Sequence, residues 1–147
     1  MSCRTSRART TILLTMLLAA CGFEPAGDAP ITPPSWFRDW WSKTEACSGR
    51  TGDFDRVKWF VVDGPGFKCP GGTCAGHWES SHEIFLAGDY RNNELVVRHE
   101  MLHELLGRPG HPDPPFGEGC PLTWSTWNAD RAALGSFPER PDSVRID

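Results

Sequence analysis

Apolar residues Leu95, Val96, Met101, Leu102, Leu105 and Leu106 recur at spacings of three and four, the period that lines one face of an α-helix. Asn92-Asn93 marks its entry, Gly107 is placed as a C-terminal stop and Pro109 lies just beyond. Trp36, Phe37, Trp40, Trp41 and Thr44 repeat the same spacing, which predicts an earlier helix capped by Ser35 and ending near Cys47, before Ser48-Gly49. Its aromatic stripe reads most simply as core packing. Period and composition change between the two helices. Val57 to Val62 is β-branched and aromatic, the content of a strand, and Asp63-Gly64-Pro65-Gly66 ends it with turn chemistry. Glu83 to Ala87 reads as a second strand, between the polar cluster Glu79-Ser80-Ser81-His82 and Gly88-Asp89. The order helix, strand, strand, helix and then an irregular carboxy-terminal region predicts an α+β domain with a short mixed or antiparallel sheet.

The first residues follow a different logic. Arg4, Arg7 and Arg9 form a basic leader, and Thr11 to Ala20 is an apolar run of ten residues, too short to span a bilayer, which takes about twenty. This predicts a secretory signal over residues 1–20. Leu18-Ala19-Ala20-Cys21 resembles the bacterial lipobox. The resemblance implies that Cys21 becomes the first mature residue and carries lipid, tethering the chain to a membrane of the cell envelope without spanning it. Residues 21–34, rich in Gly, Pro and Ala, read as the lipidated cysteine and a flexible linker, leaving 35–147 as the folded domain.

Loss of the leader removes three arginines and no acid, so the formal charge of −4 becomes −7 and nucleic acid is not an expected partner. Cys3 leaves with the leader and Cys21 is assigned to lipid, so Cys47, Cys69, Cys74 and Cys120 remain. An even number in an exported chain predicts two disulfides, with three possible connectivities. The favoured set is Cys69–Cys74, closing the turn Pro70-Gly71-Gly72-Thr73, and Cys47–Cys120, tying the first helix to the carboxy-terminal region. A structural zinc site on these cysteines is disfavoured by the loose spacing of one pair and the wide separation of the other.

Candidate chemistry lies on the second helix. His99 and His103 stand four residues apart and share one face, so both imidazoles can reach one ion. Glu100 completes His-Glu-x-x-His, the pattern in which two histidines bind zinc and the glutamate serves as general base. The competing reading is an amphipathic core helix whose histidines are hydrogen-bonded or at the surface.

This helix, with the strand Ile84-Phe85-Leu86 shortly before it, resembles the zincin metallopeptidases, chiefly over Val57 to His111. The resemblance implies a zinc site and a strand bordering the cleft that holds an extended peptide by strand addition. A catalytic zinc site has three protein ligands and one open position. The metzincin pattern would place glycine at 106 and histidine at 109, but this chain has Leu106 and Pro109; its glycine is Gly107, its histidine is His111, and no methionine turn follows. His111 is the preferred third ligand, because Gly107 and Pro109-Gly110 can turn the backbone sharply. Asp113, Glu118 and Asp130 are the alternatives. Asp130, Asp113 and Glu104 are candidate partners for the ligands' second nitrogens, Glu104 the least favoured because its neighbour His103 faces elsewhere. His77 and His82 are candidates for other roles, Tyr90 is a weak candidate oxyanion donor, and Arg98 is expected to face solvent or a nearby acid.

Together these features predict an exported, membrane-anchored zinc peptidase acting on a peptide or protein, with His99, His103 and His111 on the metal and Glu100 as base. Two rivals belong to other classes: a non-catalytic zinc-binding lipoprotein, and a structural or interaction module in which the motif arises by chance.

Overall fold

A computed structural model of the chain describes residues 23–127 and 144–146. The signal segment 1–20, Cys21 and Asp130 lie outside the described residues. Six strands and two long helices follow one another as β1 (Asp28–Ile31), α1 (Trp36–Ser48), β2 (Lys58–Val62), β3 (Phe67–Cys69), β4 (Gly72–Glu79), β5 (Glu83–Ala87), α2 (Glu94–Leu106) and β6 (Arg145–Ile146). A further helical turn is formed by residues 124–127. The class is α+β, with a mixed sheet.

The helix ends follow from local chemistry. Asn93 caps α2 through its side-chain oxygen, which accepts from the Val96 amide at 3.2 Å. Gly107 closes it in the left-handed conformation (φ 62°), donating its N–H to the carbonyls of Glu104 and His103. Gly49 ends α1 in the same way. Ser35 does not cap α1: its own backbone is already helical and its side chain makes no cap bond. The Phe37 amide is instead satisfied by the Pro34 carbonyl.

The sheet departs from the expected order at both of its ends. β1 pairs antiparallel with β2, from Asp28↔Val62 to Ile31↔Trp59, so part of the segment read as a linker is built into the domain. Its Gly, Pro and Ala content hid a strand held by backbone pairing alone, with no apolar alternation to betray it. β2 runs parallel to β5, and β5 pairs antiparallel with β4 on its other side. The strand Ile84-Phe85-Leu86, expected to border the cleft, is therefore interior. Its unbroken apolar run is the mark of a strand buried on both faces: Ile84 and Leu86 face the helices, while Phe85 and Ala87 face a second, smaller cluster with Val62, Phe67 and Cys74.

The cleft-bordering strand is β4, which begins inside the turn that Cys69–Cys74 closes and runs through a stretch where no strand was expected. On one flank it pairs with β5 at Gly76↔Leu86 through Glu79↔Glu83. Because Gly76 pairs with both Leu86 and Ile146, β6 occupies the opposite, outer flank, parallel to β4. Cys74 pairs with both Phe67 and Arg145, which puts β3 on the β5 side. Among the described residues, the outer flank of His77–Glu79 carries no strand.

One face of the sheet packs on α1 and α2. Phe37 and Trp41 from α1 meet Leu95, Val96, Met101 and Leu102 from α2 over Trp59, Ile84 and Leu86. The tryptophan stripe is therefore mainly core, as Phe37–Trp59 (4.9 Å) and Trp41–Phe54 (5.6 Å) ring contacts show, and Trp36 alone of these large side chains is exposed. Arg98, expected to face solvent or a nearby acid, meets the acid: it is buried between the helices and donates to Glu94 Oε1 and to Thr44 Oγ1, both at 3.1 Å. Pairing satisfies a charge that this position would otherwise leave stranded.

Both favoured disulfides are present: Cys47–Cys120 joins the end of α1 to the loop after α2, and Cys69–Cys74 staples the β3–β4 hairpin. Replacing Cys47 and Cys120 together by serine removes a link across 73 residues, worth about 4 kcal/mol by loop entropy against about 2 kcal/mol for Cys69–Cys74. Urea unfolding of the two double variants should show the larger loss for the first pair; equal losses would contradict this ranking.

Candidate metal centre

α2 carries His99 and His103 one turn apart, both about 1% exposed. After Gly107 the chain turns through Pro109 and Gly110, the latter at φ 82°, and returns His111 to the same point. His99 Nε2 lies 3.1 Å from His103 Nε2 and 2.9 Å from His111 Nε2. Two nitrogens bound tetrahedrally to one ion at about 2.0 Å stand about 3.3 Å apart, so the three converge at the scale a single metal requires. Among the described residues this trio is the group able to hold a metal ion.

Hydrogen bonding at the far side of two rings sharpens the assignment. His99 Nδ1 faces the Leu122 carbonyl at 2.5 Å, and His103 Nδ1 faces the Arg108 carbonyl at 3.1 Å. A carbonyl only accepts, so each Nδ1 carries the proton and each Nε2 presents a lone pair in the neutral tautomer. Two lone pairs aimed at each other at 3.1 Å do not form a hydrogen bond. A cation between them turns that opposition into attraction, and the donor set therefore fits a metal.

The loop beyond His111 supplies the floor. Phe116 is 2% exposed, and its ring lies 4.9 Å from His99, 4.9 Å from His103 and 4.8 Å from His111. Cys120 N bonds the Pro115 carbonyl and Gly117 N the Cys120 carbonyl, so the segment folds on itself before delivering Leu122 to His99. Asp113 braces this loop by accepting from the Glu118 amide at 2.9 Å. Neither Asp113 nor Glu118 joins the histidine group. The second nitrogens of His99 and His103 thus meet backbone carbonyls, one of the two kinds of partner such ligands use, rather than Asp113 or Glu104.

Glu104 has a different task. Its carboxylate accepts from Trp78 Nε1 at 2.6 Å and meets His82 Nδ1 at 2.7 Å. Trp78 in turn lies nearly parallel to the His103 ring, at 6.2 Å and 20°. His82 reaches Glu104 from a tight turn at φ 65°. His77 bonds Glu79 across 3.0 Å and, with Trp78, His103 and His111, lines a cleft of about 340 Å³. Tyr90 packs against Trp124 and is not among the residues lining this cleft; burial, then Asp89, pushes its phenol pKa up.

Glu100 is fully buried against β4. A Cβ placed on Gly76 would stand 2.6 Å from Glu100 Oε1 and 2.9 Å from its Cγ, so the absent side chain is what admits this carboxylate to the strand. A glycine inside Cys74-Ala75-Gly76-His77-Trp78 is the signal by which sequence reasoning could have found this approach. Phe116 and the Leu122 carbonyl had no comparable signal.

Comparison with protein-family models, with curated proteins and with solved structures gives no match.

With zinc as the probe, His111→Ala should weaken metal binding by more than the ~100-fold that changes behind the ligands reach, while His77→Ala leaves it unchanged. Competition with a chelator measures both. Equal affinities for the wild type and His111→Ala would remove His111 from the site.

Proposed function

We propose that this chain is a zinc-dependent peptidase of zincin type, anchored in the cell envelope through Cys21. The observation that carries the reading is the convergence of His99, His103 and His111 beside Glu100, which lies against β4, a strand whose outer flank at His77–Glu79 carries no strand among the described residues. A metal-storage site has no need for a buried carboxylate one residue from a ligand.

His99, His103 and His111 would hold a zinc ion through their Nε2 atoms, and the ion would supply Lewis acidity toward a carbonyl and a lowered pKa for water. Glu100 takes the proton of the attacking water on its carboxylate and returns it to the leaving nitrogen. The Leu122 and Arg108 carbonyls keep His99 and His103 in the tautomer that presents Nε2. Trp78, tied to Glu104, closes one side of the cleft beside His103. Backbone groups of His77–Glu79 pair with an extended peptide.

Glu100→Gln should retain zinc at full stoichiometry while hydrolysis of a peptide library falls by roughly 10²–10⁴-fold. Metal analysis and turnover on the same preparation decide it. A fully active variant overturns the mechanism, and a wild type that binds zinc without hydrolysis points to a non-catalytic zinc lipoprotein.

No helix of the described residues is long and apolar enough to cross a membrane. Phe23 packs on His77 at a ring distance of 4.5 Å, two residues from the proposed lipidated cysteine. Cys21→Ser should move the protein from the membrane fraction to the soluble fraction. Retention of the variant in the membrane would overturn the anchor.

A further inference from the structure

The domain is fastened from its first described residue. Phe23 packs on the sheet beside the smaller apolar cluster, its ring 6.2 Å from Phe67, 5.3 Å from Phe85 and 4.5 Å from His77. Pro25 behind it is buried, Asp28 N donates to the Pro25 carbonyl at 3.3 Å, and β1 then pairs with β2 along its whole length. Residues 23–31 therefore belong to the folded body. The free tether that composition predicts over 21–34 shrinks to the step between Cys21 and Phe23.

Length decides what that change means. A flexible chain over 21–34 would carry the domain about 20 Å from its anchor on average, and up to about 50 Å when stretched. Two residues, whatever path they take, span at most about 7 Å. His77 touches Phe23 and also lines the cleft with Trp78, His103 and His111. This wall of the cleft thus stands within about 20 Å of the Cys21 backbone in every orientation of the domain, less than the ~30 Å hydrocarbon core of a bilayer.

We infer that the cleft works at the membrane surface, on peptide segments that membrane-bound proteins display within about 20 Å of the lipid. This deepens the proposed function and rests on it twice: on the anchor at Cys21 for the membrane, and on the peptidase reading for the peptide. Docking of Phe23 is what sets the reach, because it removes the slack that would let the domain rise. A segment fixed to the same bilayer meets the cleft at the high effective concentration of a tethered pair. A bond held farther from the surface than the cleft can travel does not meet it.

The test uses the full mature, lipidated protein in vesicles, with cobalt loaded at the histidine centre as a short-range quencher of a fluorophore on the lipid headgroups. The wild type should quench the fluorophore, and a chelator should reverse it. Insertion of about twenty Gly-Ser residues between Gly22 and Phe23 leaves Phe23 packed but adds about 25 Å of average reach, so quenching should fall several-fold. Mixed-sequence peptides are then coupled to the same headgroups through a short spacer or through a proline-rich spacer of about thirty residues, about 90 Å long. The wild type should cleave the short-spacer peptides roughly tenfold faster, and the insertion should narrow that ratio. No chelator-sensitive quenching, quenching unchanged by the insertion, or equal cleavage at both spacers by the wild type overturns the inference and leaves the anchor standing. Wild-type protein that does not float with the vesicles overturns the anchor and this inference together. Quenching that depends on the insertion, with no cleavage of any peptide, keeps the cleft at the membrane surface and overturns the peptidase reading alone.

Discussion

Two peptide carbonyls, those of Leu122 and Arg108, govern the centre more than any side chain outside it. Each accepts from the Nδ1–H of a histidine on α2, and in doing so orients the opposite nitrogen toward the point where His111 arrives. Both carbonyls belong to the chain that follows α2, so one helix and its trailing loop contain the ligands and the groups that aim them. This accounts for the weight the fold places on the loop: a disulfide, a proline-rich turn and the buried Phe116 ring all bear on residues 108–122. The sheet contributes from the other direction, through Gly76 against Glu100 and Trp78 alongside His103.

The part of this arrangement legible in the sequence is the part written as local spacing. His99 and His103 share a face because a helix has 3.6 residues per turn, and the limits of α2 follow from Asn93 and Gly107. The disulfide pairing followed from loop closure and separation. His111 was a choice among residues that could follow a turn, since the number of residues between His103 and a third donor is set by loop conformation rather than by any period. The carbonyl partners carry no side-chain signature at all, because any residue can present a backbone oxygen.

The sheet was less legible for a related reason. Apolar content marks burial and does not say where in a sheet a strand lies. β5 was conspicuous because both of its faces are covered, and that is the property of an interior strand. β4 mixes Gly72, Thr73, Gly76, His77 and Glu79, since it must turn and admit a carboxylate. β1 contains Pro30 and pairs through only four positions at the sheet's rim, so nothing in its side chains distinguished it from a tether.

The Cys47–Cys120 bond reaches the centre without touching it. It ties to α1 the loop that delivers Leu122 to His99, and Cys120 lies two residues before Leu122. Burial of Phe116 and Leu122 in the core holds the same loop by packing. A covalent link and a set of apolar contacts thus both bear on one backbone carbonyl, and through it on the orientation of a single imidazole.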